Sequence, residues 1–366
     1  MLEILPNANI DEFIGLPFKL YKGNPFYIPE LKINTKYLLT KNPFWLHAQR
    51  EFFIAKRGGR TVGRVAAIIN KNHNEHWGDK MGFFGFFECE DNKETAAALI
   101  NAASAWLKER GCDRLRGPLN PGTNHNCGVL LDNFDKEPVI MMPYNPPYYD
   151  GILQGAGLKK AKDLLAFDRT DKDRFSPRMQ KIIERILKNP SIKIREIDLK
   201  NFEAEVETVR QIYNASWSQN WGFVPIAGAE IQDIAKQLKL IIRPELTCVI
   251  EYDGKPAGFS ICAPNMNRAL KILGGSLANP FKLIRALFAW RKIKDCRMLM
   301  LGVHPDYRGK GLELLLVRSI VVGGLANGWQ KAELSWLLED NHAIIQTVEE
   351  SGCTRTQSYR IYEKDL

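Results

Sequence analysis

Three features of the sequence predict an α/β protein built from two tandem domains, each a mixed sheet flanked by helices. At 366 residues the chain exceeds what one hydrophobic core ordinarily serves. Two stretches, FFIAKRGGRTVGRVAAI (52 to 68) and TCVIEYDGKPAGFSICA (247 to 263), both read strand, turn, strand. Gly59 and Gly63 of the first match Gly254 and Gly258 of the second, 195 positions on. After each hairpin the pattern continues strand, helix, strand, helix, strand, the order of a mixed α/β sheet.

The elements follow in chain order. A helical extension precedes the first hairpin. ETAAALINAASAWLKERG (94 to 111) is an Ala-rich helix ended by Gly111, CDRLRGPLN (112 to 120) a strand, and NPPYYDGILQGAGL (145 to 158) a helical segment paralleled by NHAIIQTVEESGC (341 to 353). The charged run DRTDKDRFSP (168 to 177) marks a boundary near 170, which divides the chain into 1–170 and 171–366. Beyond it Ser176 caps a helix, Pro177 suits its first turn, Met179, Ile182, Ile183, Ile186 and Leu187 share one face, and Asn189-Pro190 stops it. In the second half RMLML (297 to 301) is a buried strand, Leu312 to Asn327 a helix ended by Gly328, and KAELSWLLED (331 to 340) a strand.

Composition bounds the partners without choosing among them. The net charge of +9 permits nucleic acid, an anionic membrane surface or an acidic cofactor. Seven scattered cysteines with no C-x-x-C pair support neither a disulfide framework nor a zinc site and fit a reducing cytoplasm. The start MLEILPNANIDEF carries acidic residues and proline where a secretory signal needs a basic flank and an apolar core. No uncharged run reaches the roughly 18 apolar residues of a membrane span. The expected location is cytoplasmic, with a peripheral position on the inner face of the membrane as the extension of that expectation.

The chemistry concentrates in GVHPDYRGKGLE (302 to 313), a strand-to-helix turn with two glycines and two cations. Such a turn aims backbone N–H groups outward at a helix N-terminus, where the dipole favours an anion, and glycine lets a phosphate approach the main chain. The corresponding turn of the first half, FFECEDNKET (86 to 95), is acidic and would repel a pyrophosphate.

VHPDYRGKG followed by an apolar helix, a strand ending LLEDN and a short helix closing in ESGC resembles the acyl-CoA-binding half of the GCN5-related N-acetyltransferase superfamily, over about residues 195 to 366. The resemblance implies two tandem domains of that fold, the N-terminal one degenerate. It implies acetyl-CoA or a longer acyl-CoA as cosubstrate, no metal, and an amine as acceptor. Arg308, Gly309, Lys310, Gly311, Leu312 and Glu313 would then hold the coenzyme A pyrophosphate, Val303 would lie on the strand that bonds the pantetheine arm, and Asn341 would belong to the same site. The sequence departs from the family at Glu313, where a small residue is usual, and at Val348, where a tyrosine often protonates the leaving thiolate. Tandem arrangements with one degenerate half resemble protein N-myristoyltransferases, aminoacyl-tRNA-dependent peptidoglycan ligases and, more closely, bacterial N-acyltransferases of the ceramide synthase type, which acylate a long-chain amine. A noncatalytic acyl-CoA-binding regulator and a tRNA-using ligase are the alternatives. The coenzyme A loop argues against the ligase, so nucleic acid is not an expected partner.

Amine attack on a thioester needs a base. Glu339, near the end of the strand that closes in LLED, is the expected catalytic carboxylate, and His304 beside the loop is the second candidate. NASWSQNWGFVP (214 to 225) offers Trp217, Trp221 and Phe223 as a wall for the acceptor, against ordinary packing under a loop. His73 and His76, and the pair His125 and Cys127, read as loop residues. The segment 268 to 294 carries seven cations and no Asp or Glu among Leu, Ile, Phe and Trp, the composition of an interfacial segment. From Pro280 onward Phe281, Ile284, Leu287 and Phe288 share a helical face, which either packs on its own domain or rests on an anionic membrane.

Overall fold

The computed structural model describes all 366 residues and divides them into two compact units that are not contiguous in sequence. The first holds Met1–Leu164, Asn267–Arg291 and Gln357–Leu366, and the second Leu165–Met266 and Lys292–Thr356. The sequence-based division near 170 is thus crossed by two segments. The insertion after the second hairpin belongs to the first unit, and so do the last residues of the chain.

In the first unit the sheet runs from Leu2–Leu5 through the hairpin Ala48–Arg57 and Arg60–Asn70 to Met81–Cys89 and Arg114–Gly117, and is completed by residues 357 to 365. Met81–Cys89 and Arg114–Gly117 pair in parallel only from Met81 opposite Arg114 to Phe83 opposite Arg116. Beyond that point they part, and the chain itself fills the gap. Leu119–Asn120 folds back onto the first strand, so close to Gly85 that a Cβ there would run into the Leu119 carbonyl. The Asn120 amide oxygen accepts from the Phe86 N–H at 2.5 Å, where a bulge gives Phe86 a φ of +51°. Asn126–Cys127 pairs with Leu119–Asn120 and backs this plug. Helix Lys93–Lys108 covers the sheet with Ala96, Leu99, Ile100, Ala103 and Leu107 buried.

The second unit repeats the plan. Its strands run Ile192–Glu196, Thr247–Tyr252, Lys255–Pro264, Asp295–Val303 and Lys331–Leu338, with residues 165 to 170 beyond. Helix Leu312–Ala326 packs on one face through Leu312, Leu315, Leu316 and Ile320, and helix Phe202–Trp217 supplies Val206, Val209, Ile212 and Tyr213 to a second core cluster. Asp295–Val303 and Lys331–Leu338 pair in parallel from Asp295 opposite Lys331 to Met298 opposite Leu334, and then part. Each half of the sequence therefore carries the same fork between two parallel strands, but only the first unit's is filled by a hairpin of its own.

A loop expectation is corrected for two residues. His73 and His76 both lie on the helix Lys71–Trp77, capped by the Asn70 side chain, and His73 is buried with its ring edge-to-face with Phe83. The Asn-rich surroundings that suggest a loop include the cap itself, since Asn favours that position. Burial pushes the His73 imidazole down from 6.5 to about 4, with Asp79 at 3.5 Å opposing. Because the folded value lies below the unfolded one, stability is full above about pH 6.5 and falls as pH drops toward about 4, where only the unfolded chain takes the proton. Urea midpoints across that window should show about 3 kcal/mol of loss attributable to this group. A His73→Gln variant should flatten the profile there; an identical profile in the variant would assign the loss elsewhere.

Candidate active site

Where Asp295–Val303 and Lys331–Leu338 part, side-chain bonds replace the sheet ladder. Arg297 lies opposite Glu333 within the paired stretch, and both are buried, at 3% and 1% exposure. The Arg297 guanidinium donates from Nε to the Ser335 hydroxyl at 2.9 Å and from Nη2 to the Ser335 carbonyl at 3.2 Å. The Ser335 hydroxyl in turn donates to Glu333 at 2.9 Å, and the guanidinium stacks 4.9 Å from the Trp336 ring. Ser335 is the first residue past the last backbone pair. A buried carbonyl there needs a donor, and Arg297 supplies one without the neighbouring strand, so the fork stays open.

A bulge falls at the same point. Ile261 pairs with Met300 but Cys262 with Met298, which leaves Leu299 without a partner in the hairpin register. Gly302 follows, and a Cβ there would meet the Trp217 ring at 2.7 Å, so glycine lets that indole lie on the strand. Trp217 also contacts Tyr213 and Phe259, at ring separations of 4.7 and 6.0 Å.

The strand leads into the glycine-rich turn. His304 caps a short 3-10 turn, Pro305–Tyr307, by accepting from the Asp306 N–H at 3.4 Å, and its own N–H donates to the Ala257 carbonyl. Gly309 and Gly311 both have φ of +74°, the left-handed region that disfavours side chains. A Cβ at Gly311 would also strike Ile186. Gly311 is the N-cap of helix Leu312–Ala326, and no side chain caps that helix. Its first N–H groups therefore face outward with the positive end of a 15-residue dipole behind them. The first unit does the opposite at the matching place: Asn92 caps helix Lys93–Lys108 by accepting from the Thr95 N–H at 2.9 Å, and Arg57 pairs with Glu90 and Glu94 around the turn.

Cations frame the uncapped turn. Arg308 donates to the Ser216 carbonyl at 2.6 Å, at the negative end of helix Phe202–Trp217, while the Ser216 hydroxyl donates to the Val303 carbonyl at 2.9 Å. Lys310 stacks 4.8 Å over the Tyr252 ring. Glu313 sits half-buried in the first helical turn, where the dipole favours a carboxylate, and it forms no ion pair with Arg308 or Lys310.

The other expected site residues fall in varied places. Val303 and Leu312 bury their side chains in the core and offer only backbone to the turn. Asn341 caps helix His342–Glu350, accepting from the Ile344 N–H. Glu339 follows the strand Lys331–Leu338 in a turn at the open end of the fork and is half-exposed. Phe223 is buried in the core with Tyr213 and Ile226, whereas Trp217 and Trp221 are half-exposed. Val348 is a core residue. His125 and Cys127 belong to the first unit's plug, with Cys127 buried. No group of three or more His, Cys, Asp or Glu side chains is arranged to hold a metal ion. Sequence reasoning missed Arg297, Glu333 and Ser335. Their signal is an arginine inside the apolar RMLM and two polar residues at alternate positions of KAELSWLL.

A fork between parallel strands occurs twice, open beside an uncapped, glycine-rich helix start in one copy and plugged beside a capped one in the other, as in a tandem duplication. The profile of the acetyltransferase (GNAT) family matches residues 206–352, and the chain belongs to the GCN5-related N-acetyltransferase superfamily as a tandem-domain N-acyltransferase. It is 34% identical over 373 residues to Protein YghO of Escherichia coli (strain K12), covering 99% of this chain and 94% of that protein. It is 33% identical over 370 residues to the bacterial ceramide synthase of Caulobacter vibrioides (strain NA1000 / CB15N), covering 98% and 95%. A tandem GNAT protein from the clavulanic acid biosynthesis pathway aligns over 100% of this chain and 98% of its own, with a TM-score of 0.58 at 14% identity, a likeness of fold.

The fork's chemistry yields a stability test. Arg297→Met keeps much of the bulk but removes the charged donor to the buried Ser335 hydroxyl and carbonyl, and should cost about 3 to 5 kcal/mol in urea unfolding. A loss under about 1 kcal/mol would mean the strands part for another reason.

Proposed function

We propose that this enzyme moves an acyl group from an acyl-CoA to an amine, with a long-chain amine as the acceptor class. The observation that carries the donor half is the contrast between the two strand-to-helix turns, one capped by its own asparagine and the other left open between two left-handed glycines and two cations. The open turn fits a pyrophosphate: outward N–H groups, room for close approach at Gly309, and Arg308 and Lys310 at hand. The arm of such a donor would run along the unpaired edge of Leu299 to Val303, where the fork exposes backbone, and bring its thioester toward the fork.

The acceptor half is supported by a likeness. The 33% identical relative is a bacterial ceramide synthase by name, and that chemistry joins an acyl group to a long-chain amine. Trp217, lying on Gly302, gives the open side of the fork an apolar wall, to which half-exposed Trp221 is assigned in this proposal. In this reading Glu339 accepts the proton that the amine nitrogen loses as it bonds to the acyl carbon, while the thiolate leaves with the coenzyme. His304 serves to shape the loop, being occupied as a cap. Glu333, which accepts from the Ser335 hydroxyl, is assigned to holding the fork. Asn341 acts through its cap on the following helix. Under this proposal the enzyme works in the cytoplasm, with its long-chain substrates bringing it to the inner face of the membrane. No helix is long and apolar enough to cross that membrane.

Release of free thiol from acyl-CoAs of several chain lengths, with and without long-chain amines, tests the whole proposal. Thiol release that depends on the amine is expected; coenzyme binding without release for any amine would favour a binding protein. Arg308→Ala should weaken coenzyme A binding by about 1 to 3 kcal/mol in calorimetry, and unchanged affinity would leave the loop an ordinary turn. Glu339→Gln should lower kcat on the order of a hundredfold with little change in KM. An unchanged kcat would assign the proton to another group.

A further inference from the structure

The segment that the first half of the sequence replaces with the seven-residue helix Lys71–Trp77 forms two helices, Asn267–Leu273 and Pro280–Arg291, and both belong to the first unit. They are firmly mounted there. The buried Asn267 side chain donates to the Pro138 carbonyl at 2.6 Å, Lys271 is paired with Glu137, and the Gly275 carbonyl accepts from the Lys32 N–H at 3.1 Å. Gly275 has a φ of +84° and lies against the Phe18 ring, so the turn between the helices is fixed as well.

What this mount presents is an apolar face turned outward. Helix Pro280–Arg291 packs through Ala286, which is buried, with half-buried Leu283 and Trp290 on the same side. At about 100° per residue Phe281, Ile284, Leu287 and Phe288 fall on a different arc, about 120° wide. They are 77%, 52%, 54% and 60% exposed, and Leu277 in the preceding turn is 44% exposed. Ile33, next to the Lys32 that bonds Gly275, adds another exposed side chain at 65%. A helix packed on its own domain by its larger side chains would bury Phe281 and Phe288; this one buries an alanine and leaves both phenylalanines outside.

The charge around the arc identifies the occupant. Lys282, Arg285, Arg291 and Lys292 are all exposed, and no Asp or Glu occurs between Arg268 and Lys294. A second copy of this chain would bring these cations against themselves. An apolar arc bordered on one side by Lys282, Arg285 and Lys292, with Arg291 at its C-terminal end and no acidic residue in the segment, matches the boundary of an anionic bilayer, where rings and aliphatic chains enter the acyl region and the cations meet phosphate headgroups. We infer that residues 277 to 292 form a docking face for an anionic lipid surface, on which helix Pro280–Arg291 lies in the plane of the membrane. The face stands on its own exposure and charge, so its loss would leave acyl transfer to a short, soluble amine intact.

Flotation of the full chain with vesicles of phosphatidylglycerol and phosphatidylcholine, beside vesicles of phosphatidylcholine alone, tests the inference. Binding is expected to require the anionic lipid, to weaken as salt is raised, and to fall on the order of a hundredfold when Arg285, Arg291 and Lys292 are all changed to Gln. Phe281→Ser with Phe288→Ser should abolish binding while keeping the charge, the thermal midpoint and the thiol release with a soluble amine. A chain that stays soluble with anionic vesicles at low salt would overturn the inference. So would binding that both variants retain, or a dimer in sedimentation that the Phe281 and Phe288 changes dissociate.

Discussion

The Arg297 guanidinium, by bonding both the hydroxyl and the carbonyl of Ser335, ends the parallel ladder at Met298 and Leu334. Everything the second unit does depends on that ending. A ladder continued to Val303 and Leu338 would satisfy the backbone and leave no opening between the strands. Because the strands part instead, the bulge at Leu299 and the stretch up to Gly302 keep a free edge, and the chain leaves the sheet at His304 aimed at the start of helix Leu312–Ala326. The network is buried, with Glu333 linked to Arg297 through the Ser335 hydroxyl, so removing one member would weaken bonds that the others make in a low dielectric.

The two units show what it takes to close such a site. The first has a similar parallel start, parting after three paired residues where the second parts after four, yet its own chain returns through Leu119–Asn120 and gives the bulge N–H of Phe86 an intramolecular acceptor. Its helix start is closed as well, by the Asn92 cap and by carboxylates that Arg57 neutralises. Fork and helix start are thus both satisfied from within in one unit and both left open in the other. An open edge and an open helix start leave backbone groups that water or a ligand can complete, and their coincidence in one unit makes that unit the candidate site.

The duplication was legible in the sequence because Gly59 and Gly254 hold positive φ in hairpin turns, Gly63 and Gly258 lie in the strands that follow where neighbours approach closely, and all four keep their spacing. The glycine turn and the helix Leu312–Ala326 were legible for the same local reason. The helix at 280 was legible from its 3.6-residue spacing, though its outward orientation was not, since spacing defines a face without saying what covers it. The fork network was hidden because its members pair across 38 positions and depend on where a ladder stops. Short strands such as Leu119–Asn120 carry no periodicity at all. The assignment of residues 357 to 366 to the first unit was equally out of reach, because a strand's pattern names its buried face and not its neighbour. His73 misled through composition: asparagines that favour loops also favour helix caps.

Hydrogen exchange read by peptide, with and without coenzyme A, tests the central claim that the open turn and fork of the second unit are completed by the donor. The account predicts slowed exchange in the stretch from Leu299 to Leu314, together with no change in residues 86 to 95, whose turn is already capped. Protection at residues 86 to 95, or none around Gly309 and Gly311, would contradict it.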